Sequence, residues 1–160
     1  MDQPSRAVVG LISDTHGLVR PSVHQALAGV DFILHAGDVG GDEILDELRI
    51  IAPVYAVYGN TDDASNPSLE QEIVMSIGGR SVHVSHGHEV GSPTPERLTA
   101  RYSHDVIVYG HTHRQLVTRI GNQLVINPGA AGQQRFKLLP AVARLTIENG
   151  VAEVETVALD

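Results

Sequence analysis

Five short runs of carboxylate, amide and imidazole residues punctuate this 160-residue chain, and each directly follows an apolar, strand-like stretch. They are Asp14-Thr15-His16, Gly37-Asp38, Gly59-Asn60-Thr61-Asp62, His86-Gly87-His88 and Gly110-His111-Thr112-His113. The preceding stretches, 7–12, 32–34, 53–58, 81–85 and 106–109, have the length and apolar content of largely buried strands. In open α/β sheets, ligands bind in the crevice beyond the carboxyl ends of the strands. A fold that aligns these strands therefore gathers all five runs at one edge. The glycines at 37, 59 and 110 suit the tight turns this requires.

Helix-like segments separate several of the strands. Pro21 to Ala28 opens with Pro at a first-turn position. Asp42 to Ile50 has Asp42 as its expected N-cap, with Ile44, Leu45 and Leu48 on one face. Thr94-Pro95 is a cap followed by a first-turn Pro, and predicts a helix to Tyr102. Strands alternating with helices predict an α/β fold whose first part is a largely parallel sheet. The second part changes character. Gly78-Gly79 joins Glu70–Ile77 to Arg80–Ser85, Gly121-Asn122 joins Leu116–Ile120 to Gln123–Ile126, and Asn149-Gly150 joins Ala141–Ile147 to Val151–Leu159. Three hairpins predict a second sheet or an antiparallel extension of the first. The length fits one domain spanning 1–160, and Gly129 to Gln134 is the loop expected to be most mobile.

Taken singly, each polar residue has an ordinary role. Asp14 can cap a helix, Asp38 can close a turn, Gly59-Asn60 can be a reverse turn, and His86 or His111 can sit at the edge of a core. Jointly, Asp14, His16, Asp38, Asn60, His86, His111 and His113 supply two carboxylates, an amide and four imidazoles, the donor set of a pair of divalent cations. With no Cys in the chain, thiolate ligation, a cysteine nucleophile and a disulfide framework are all excluded. Nitrogen and oxygen donors favour Mn²⁺ first, with Fe²⁺, Zn²⁺ or Ni²⁺ as the other candidates.

A net charge of −8 and a single lysine, Lys137, argue against a grip on extended nucleic acid. Local charge can oppose the net. Two divalent cations bring +4 and Asp14 with Asp38 bring −2, so a loaded site stands at about +2 and attracts phosphate. The first apolar run, Ala7 to Ile12, is too short for a signal-peptide core or a membrane span. A cytoplasmic protein without membrane contact is expected, and exposed sheet edges leave room for a homo-oligomer.

The five runs, in this order, resemble the calcineurin-like metallophosphoesterase superfamily and its compact phosphodiesterase branch. The resemblance extends from Val8 to the Asn127-Pro128-Gly129 turn. It implies a four-layer α/β/β/α sandwich with two mixed sheets and the metal site at the C-terminal ends of strands. It also implies that Asp14, His16 and His113 hold one ion, that Asp38 bridges, and that Asn60, His86 and His111 hold the other. The implied activity is hydrolysis of a phosphodiester bond in a small substrate by a metal-bridging hydroxide. Asp38 and Asn60 take part in that chemistry, and Asn60 as a neutral ligand preserves the charge that attracts phosphate. Many members carry a His after the Gly-Asn pair to protonate the leaving group. Here Thr61 stands in that place, as in other compact members, and His88 is the candidate acid. His35 and Asp62 are expected to support the ligands from behind, with Asp62 orienting a neighbouring ligand, as carboxylates behind a metal site commonly do. His24 and His104 are expected on the surface, His83 on a strand face, and Arg114 near the site. The alternatives are a phosphomonoesterase, a metal-dependent nuclease for short oligonucleotides, and a non-catalytic scaffold such as the retromer subunit that resembles these enzymes.

Overall fold

The apolar runs of the sequence become two five-stranded sheets. The computed structural model describes residues 6–135 and 137–160. Their elements are β1 (Arg6–Ile12), α1 (Pro21–Ala26), β2 (Phe32–His35), α2 (Asp42–Arg49), β3 (Val54–Ala56), β4 (Ile73–Ile77), β5 (Arg80–Val84), α3 (Pro95–Arg101), β6 (Val106–Val108), β7 (Leu116–Ile120), β8 (Gln123–Asn127), β9 (Ala141–Glu148) and β10 (Val151–Ala158). The first sheet has the order β10-β9-β1-β2-β3 and the second β4-β5-β6-β8-β7. In the first, β1, β2 and β3 are parallel and the β9–β10 hairpin extends them antiparallel. In the second, β5, β6 and β8 are parallel between antiparallel β4 and β7. Both sheets are therefore mixed, and each keeps a parallel centre.

Strand alternation divides the apolar side chains into three layers. Val9, Leu11, Leu34, Val82, Val84, Val106, Val108, Leu124, Ile126, Leu145 and Ile147 face inward and pack between the sheets. Ile12, Ile33 and Val142 point the other way, against Val23, Ile44, Leu45 and Leu48 of α1 and α2. Ile107 and Val125 leave the second sheet on its far side and meet Leu98 of α3. Helices, sheet, sheet, helix: the four layers of the sandwich follow from which strand positions are odd and which even. With few aromatics, the core rests on branched aliphatics, and burying each contributes roughly 1.5–3 kcal/mol.

Local details depart from expectation in four places. Asp42 is the first residue of α2 rather than its cap; Gly41, with φ 133°, precedes the helix and no side chain caps it. The third strand is only Val54–Ala56, and the fourth begins at Ile73 rather than Glu70. Residues 57 and 70 still meet in an isolated parallel bridge that joins the segments leading into the two sheets' edges. Gly129 to Gly132, expected to be mobile, is buried and bonded: Ala131 N–H donates to Ser13 O and Gly132 N–H to Asp14 O. Only Gln133 and Gln134 of that loop are exposed. Thr94 does cap α3, its hydroxyl accepting from Arg97 N–H at 3.1 Å. Among the described residues no helix is long and apolar enough to cross a membrane.

Candidate metal centre

The central parallel strands of both sheets end at one rim, and backbone bonds continue past them. Asp14 N–H donates to Gly37 O and His16 N–H to Asp38 O, each at 2.9 Å. Gly110 N–H donates to His86 O at 3.0 Å on the second sheet. Main-chain bonds thus join the runs in pairs within each sheet, and carboxylate side chains tie in the rest: Thr61 N–H donates to Asp38 Oδ1 and His111 N–H to Asp14 Oδ2.

The backbone there is strained. Asp14, His16, Asp38, His111 and His113 all have positive φ, between 45° and 72°; Asn149, at the tip of a hairpin, is the other non-glycine case among the described residues. A left-handed conformation costs a non-glycine residue roughly 1–3 kcal/mol and persists where its surroundings over-determine it. Here it turns five donor side chains toward one point. Close approach also explains two glycines. A Cβ on Gly59 would collide with Asp38 Oδ1, and one on Gly110 with Ser13 Oγ and Asp14 Oδ2.

Each carboxylate commits one oxygen to the protein. Asp14 Oδ2 accepts from Ser13 Oγ at 2.6 Å and from His111 N–H at 3.1 Å. Asp38 Oδ1 accepts from Thr61 N–H at 3.0 Å. The other oxygen of each faces imidazoles. Asp14 Oδ1 lies 3.3 Å from His113 Nε2, 3.7 Å from His16 Nε2 and 3.8 Å from His86 Nε2. Asp38 Oδ2 lies 3.2 Å from His86 Nε2 and 3.6 Å from His16 Nε2. His111 Nδ1 sits 3.3 Å from His86 Nε2 and 3.1 Å from Asn60 Oδ1. Two groups emerge whose donor atoms lie within 4.8 Å of one another: Asp14, His16 and His113, and Asp14, Asp38 and His86. Asn60 and His111 adjoin the second.

This arrangement is the shape of a cation site. Asp14 Oδ1 is buried without a hydrogen-bond partner, because its imidazole neighbours attract it without meeting hydrogen-bond geometry. An unsatisfied buried carboxylate oxygen is costly unless a charge pairs with it. His86 Nδ1 lies 2.8 Å from Ala36 O; in the tautomer that donates there, Nε2 turns a lone pair toward Asp38 Oδ2. Lone pairs facing carboxylate oxygens are what a divalent ion joins. Burial works to raise both carboxyls, yet the imidazoles outweigh it. Asp14 is held well below the usual range, mainly by His113 and His16, and Asp38 is lowered to about 2, mainly by His86. Burial likewise opposes a charge on His86, but Asp38 and Asp14 raise its imidazole above the ordinary value. Burial and the neighbouring His86 lower His111.

A second ring of residues fixes the ligand-bearing turns. Asp62 accepts from Val39, Gly40 and Gly59 N–H, at 2.9–3.1 Å, so it clamps together the two turns that carry Asp38 and Asn60, acting on their main chains rather than on a side chain. His35 is fully buried behind the site, 3.0 Å from Thr15 Oγ1, and accepts from Gly37 N–H at its Nδ1. Burial lowers its pKa to about 4. Glu89, which sequence reasoning missed, accepts from Ser85 Oγ, Gly87 N–H and Tyr102 OH and so anchors the His86-Gly87-His88 turn. The spacing of Ser85, Gly87 and Glu89 in one turn is the only signal that pointed to it. His88 sits beside the cluster, its ring 5.4 Å from His86 and 6.4 Å from His111, with Nδ1 buried and unpartnered. His83 is buried beneath, stacked on Tyr102 and 2.7 Å from Glu72. His24 is only partly exposed and pairs with Glu47. Arg114 follows His113 and is exposed.

Fold and donor set together define a class: an α/β/β/α sandwich with nitrogen and oxygen donor groups that could hold metal ions where its two sheets meet. The model of the calcineurin-like phosphoesterase superfamily domain matches residues 8–150, a span containing all five polar runs, and the chain belongs to that family. A probable metallophosphoesterase of Methanocaldococcus jannaschii is 34% identical over 152 residues, covering 89% of this chain and 77% of the relative. A phosphodiesterase of the same organism is 27% identical over 139 residues, covering 76% and 82%. The structure of vacuolar protein sorting 29 from Cryptosporidium parvum superposes with a TM-score of 0.80 at 23% identity, covering 97% of this chain and 98% of that one, which establishes the shared fold. Membership implies divalent metal ions, and the donor groups above fit them.

Proposed function

We propose that the chain is a dinuclear metal-dependent phosphodiesterase acting on a small substrate. One observation carries the dinuclear reading: two three-residue donor groups meet at the same point, and Asp38 Oδ2 faces an imidazole of each. In this reading Asp14, His16 and His113 hold one ion, Asn60, His86 and His111 hold the other, and Asp38 lies between them. Asp14 also approaches His86, but at 3.8 Å against 3.3 Å to His113, so it is assigned to the first ion. The relative named as a phosphodiesterase supports the diester as the substrate class.

When bound, the ion pair supplies a nucleophile from water near neutral pH and balances charge on the phosphoryl oxygens. The chain's residues set the conditions for this. Ser13, His111 N–H and Thr61 N–H fix the two carboxylates, so their free oxygens stay aimed at the imidazoles. Asn60 contributes an oxygen without a charge, which keeps the centre electropositive toward phosphate. His88, which is not assigned as a ligand, has its ring 5.4 Å from that of His86 and 6.4 Å from that of His111. In this reading it protonates the departing alkoxide, and with Nδ1 buried, Nε2 is the nitrogen that carries the proton.

The test is hydrolysis of bis(p-nitrophenyl) phosphate by chelator-stripped protein, with and without added Mn²⁺, alongside metal stoichiometry. Expected are two ions bound, turnover restored by metal, and weaker turnover of p-nitrophenyl phosphate. Folded protein that binds two ions yet turns over no diester with Mn²⁺, Fe²⁺, Zn²⁺ or Ni²⁺ would reject the enzyme in favour of a scaffold.

A further inference from the structure

Cationic side chains are few in a chain of net charge −8, and most are engaged. Arg6, Arg49 and Arg80 face Glu148, Asp46 and Asp105. Arg20, Arg97, Arg119 and Arg144 donate to backbone carbonyls, and Arg101 lies over the Tyr102 ring. Arg114, Arg135 and Lys137 make no side-chain hydrogen bond, ion pair or ring contact among the described residues. Arg114 and Lys137 come from separate segments to one cleft of about 500 Å³. His113 is part of its wall, so the cleft opens directly off the donor cluster. Pro93, Tyr109 and Leu116 supply apolar lining, and no acidic residue lines it. The flank of the centre beyond Thr61 is the opposite: its cleft is lined by Asp42, Asp62 and Asp63.

We propose that the cleft beside His113 receives one arm of the diester substrate, and that this arm ends in a second phosphate held by Arg114 and Lys137. The proposal rests on the phosphodiesterase reading. The apolar lining takes the body of the arm, and the two uncommitted cations match a dianionic terminus. The acidic flank repels the same group, so the asymmetry of charge around the centre sets the direction in which such a substrate lies. A surface cation retained only for solubility needs no such neighbours, and carboxylates would normally be interspersed with it.

The experiment compares the p-nitrophenyl ester of thymidine 5′-phosphate with the same ester carrying a 3′-phosphate, using the Mn²⁺-loaded protein. The 3′-phosphate is expected to lower KM by roughly threefold to fivefold for each exposed cation it meets, an advantage that shrinks as salt is raised. Arg114→Ala or Lys137→Ala should reduce the KM ratio of the two esters, and the double variant should bring it to one. A ratio of one in the unaltered protein, or a ratio that both variants leave unchanged, overturns the proposal. If neither ester nor bis(p-nitrophenyl) phosphate is turned over, with Fe²⁺, Zn²⁺ and Ni²⁺ tried beside Mn²⁺, the phosphodiesterase reading fails. Calorimetric binding of thymidine 3′,5′-bisphosphate then decides the cleft: affinity lost in the double variant supports it, and equal affinity overturns it.

Discussion

His16 Nε2 and His113 Nε2 face each other across 3.4 Å, though 97 residues separate them, and the unpartnered Asp14 Oδ1 lies within 3.7 Å of both. Two imidazole nitrogens and a buried carboxylate oxygen at these separations have no use for one another in a core. A shared cation gives all three a partner, and this geometry makes the centre testable residue by residue.

Asp38→Asn keeps the side chain's shape, its acceptor for Thr61 N–H and its tolerance of φ 55°. It removes the charge between the two groups. Diester turnover should fall roughly 100-fold or more while the fold remains. Circular dichroism melting beside the rate assay checks this; near-normal turnover would remove Asp38 from the centre.

Gly59→Ala places a methyl against Asp38 Oδ1 and the Asp38 backbone nitrogen. The turn must shift, at a cost of roughly 1–3 kcal/mol. The carboxylate moves with it, so metal stoichiometry should drop below two. Gly79→Ala is the control, since a Cβ there meets nothing within 4 Å, although its φ of 87° brings backbone strain alone. Equal metal loss in both variants would refute steric displacement of Asp38.

Glu89→Ala strips the acceptor from Ser85, Gly87 and Tyr102 at once. Freed buried donors cost roughly 1–3 kcal/mol each, and the turn carrying His86 and His88 loosens. Metal affinity is expected to fall about tenfold at one of the two ions and to hold at the other. Isothermal titration with Mn²⁺ separates the two; uniform loss at both would show that the effect is global.

Buried His35 makes the metal-stripped protein sensitive to mild acid. Its pKa is lowered from 6.5 to about 4 by burial, so the unfolded state binds the proton more readily. The stability it contributes is present above pH 6.5 and is lost as pH falls toward 4, by about 3 kcal/mol. Asp38, lowered from 3.8 to about 2, adds a further loss in the same direction only below about pH 4. Urea unfolding at pH 7, 5.5 and 4.5, with His35→Gln beside the parent, should show a steep parent slope and a shallow variant. Parallel slopes would discard His35 as the cause.

Much of this was legible in the chain. The order of the strands, the three hairpins and the Thr94 cap appear where local chemistry places them, because turn residues and alternation act over a few positions; β3 and β4 are shorter than their apolar runs. The misreadings concern contacts with distant segments. Gly129 to Gly132 has the composition of a free loop, yet Ser13 and Asp14 capture its backbone. Asp62 was legible as a supporting carboxylate, but that it acts through the N–H groups of Val39, Gly40 and Gly59 depends on turns that the fold brings together. Lys137 carried no signal until the fold set it across a cleft from Arg114.

The sequence by itself determined the donor set, the order of the five runs and their positions after strands, since residue chemistry and hydrophobic period are properties of the chain. Only the tertiary structure decided which donors face each other, which oxygen of each carboxylate stays free, and which flank of the centre is cationic. Those depend on strained backbone angles and on separations between segments far apart in sequence, and only the packing of two sheets against each other sets them.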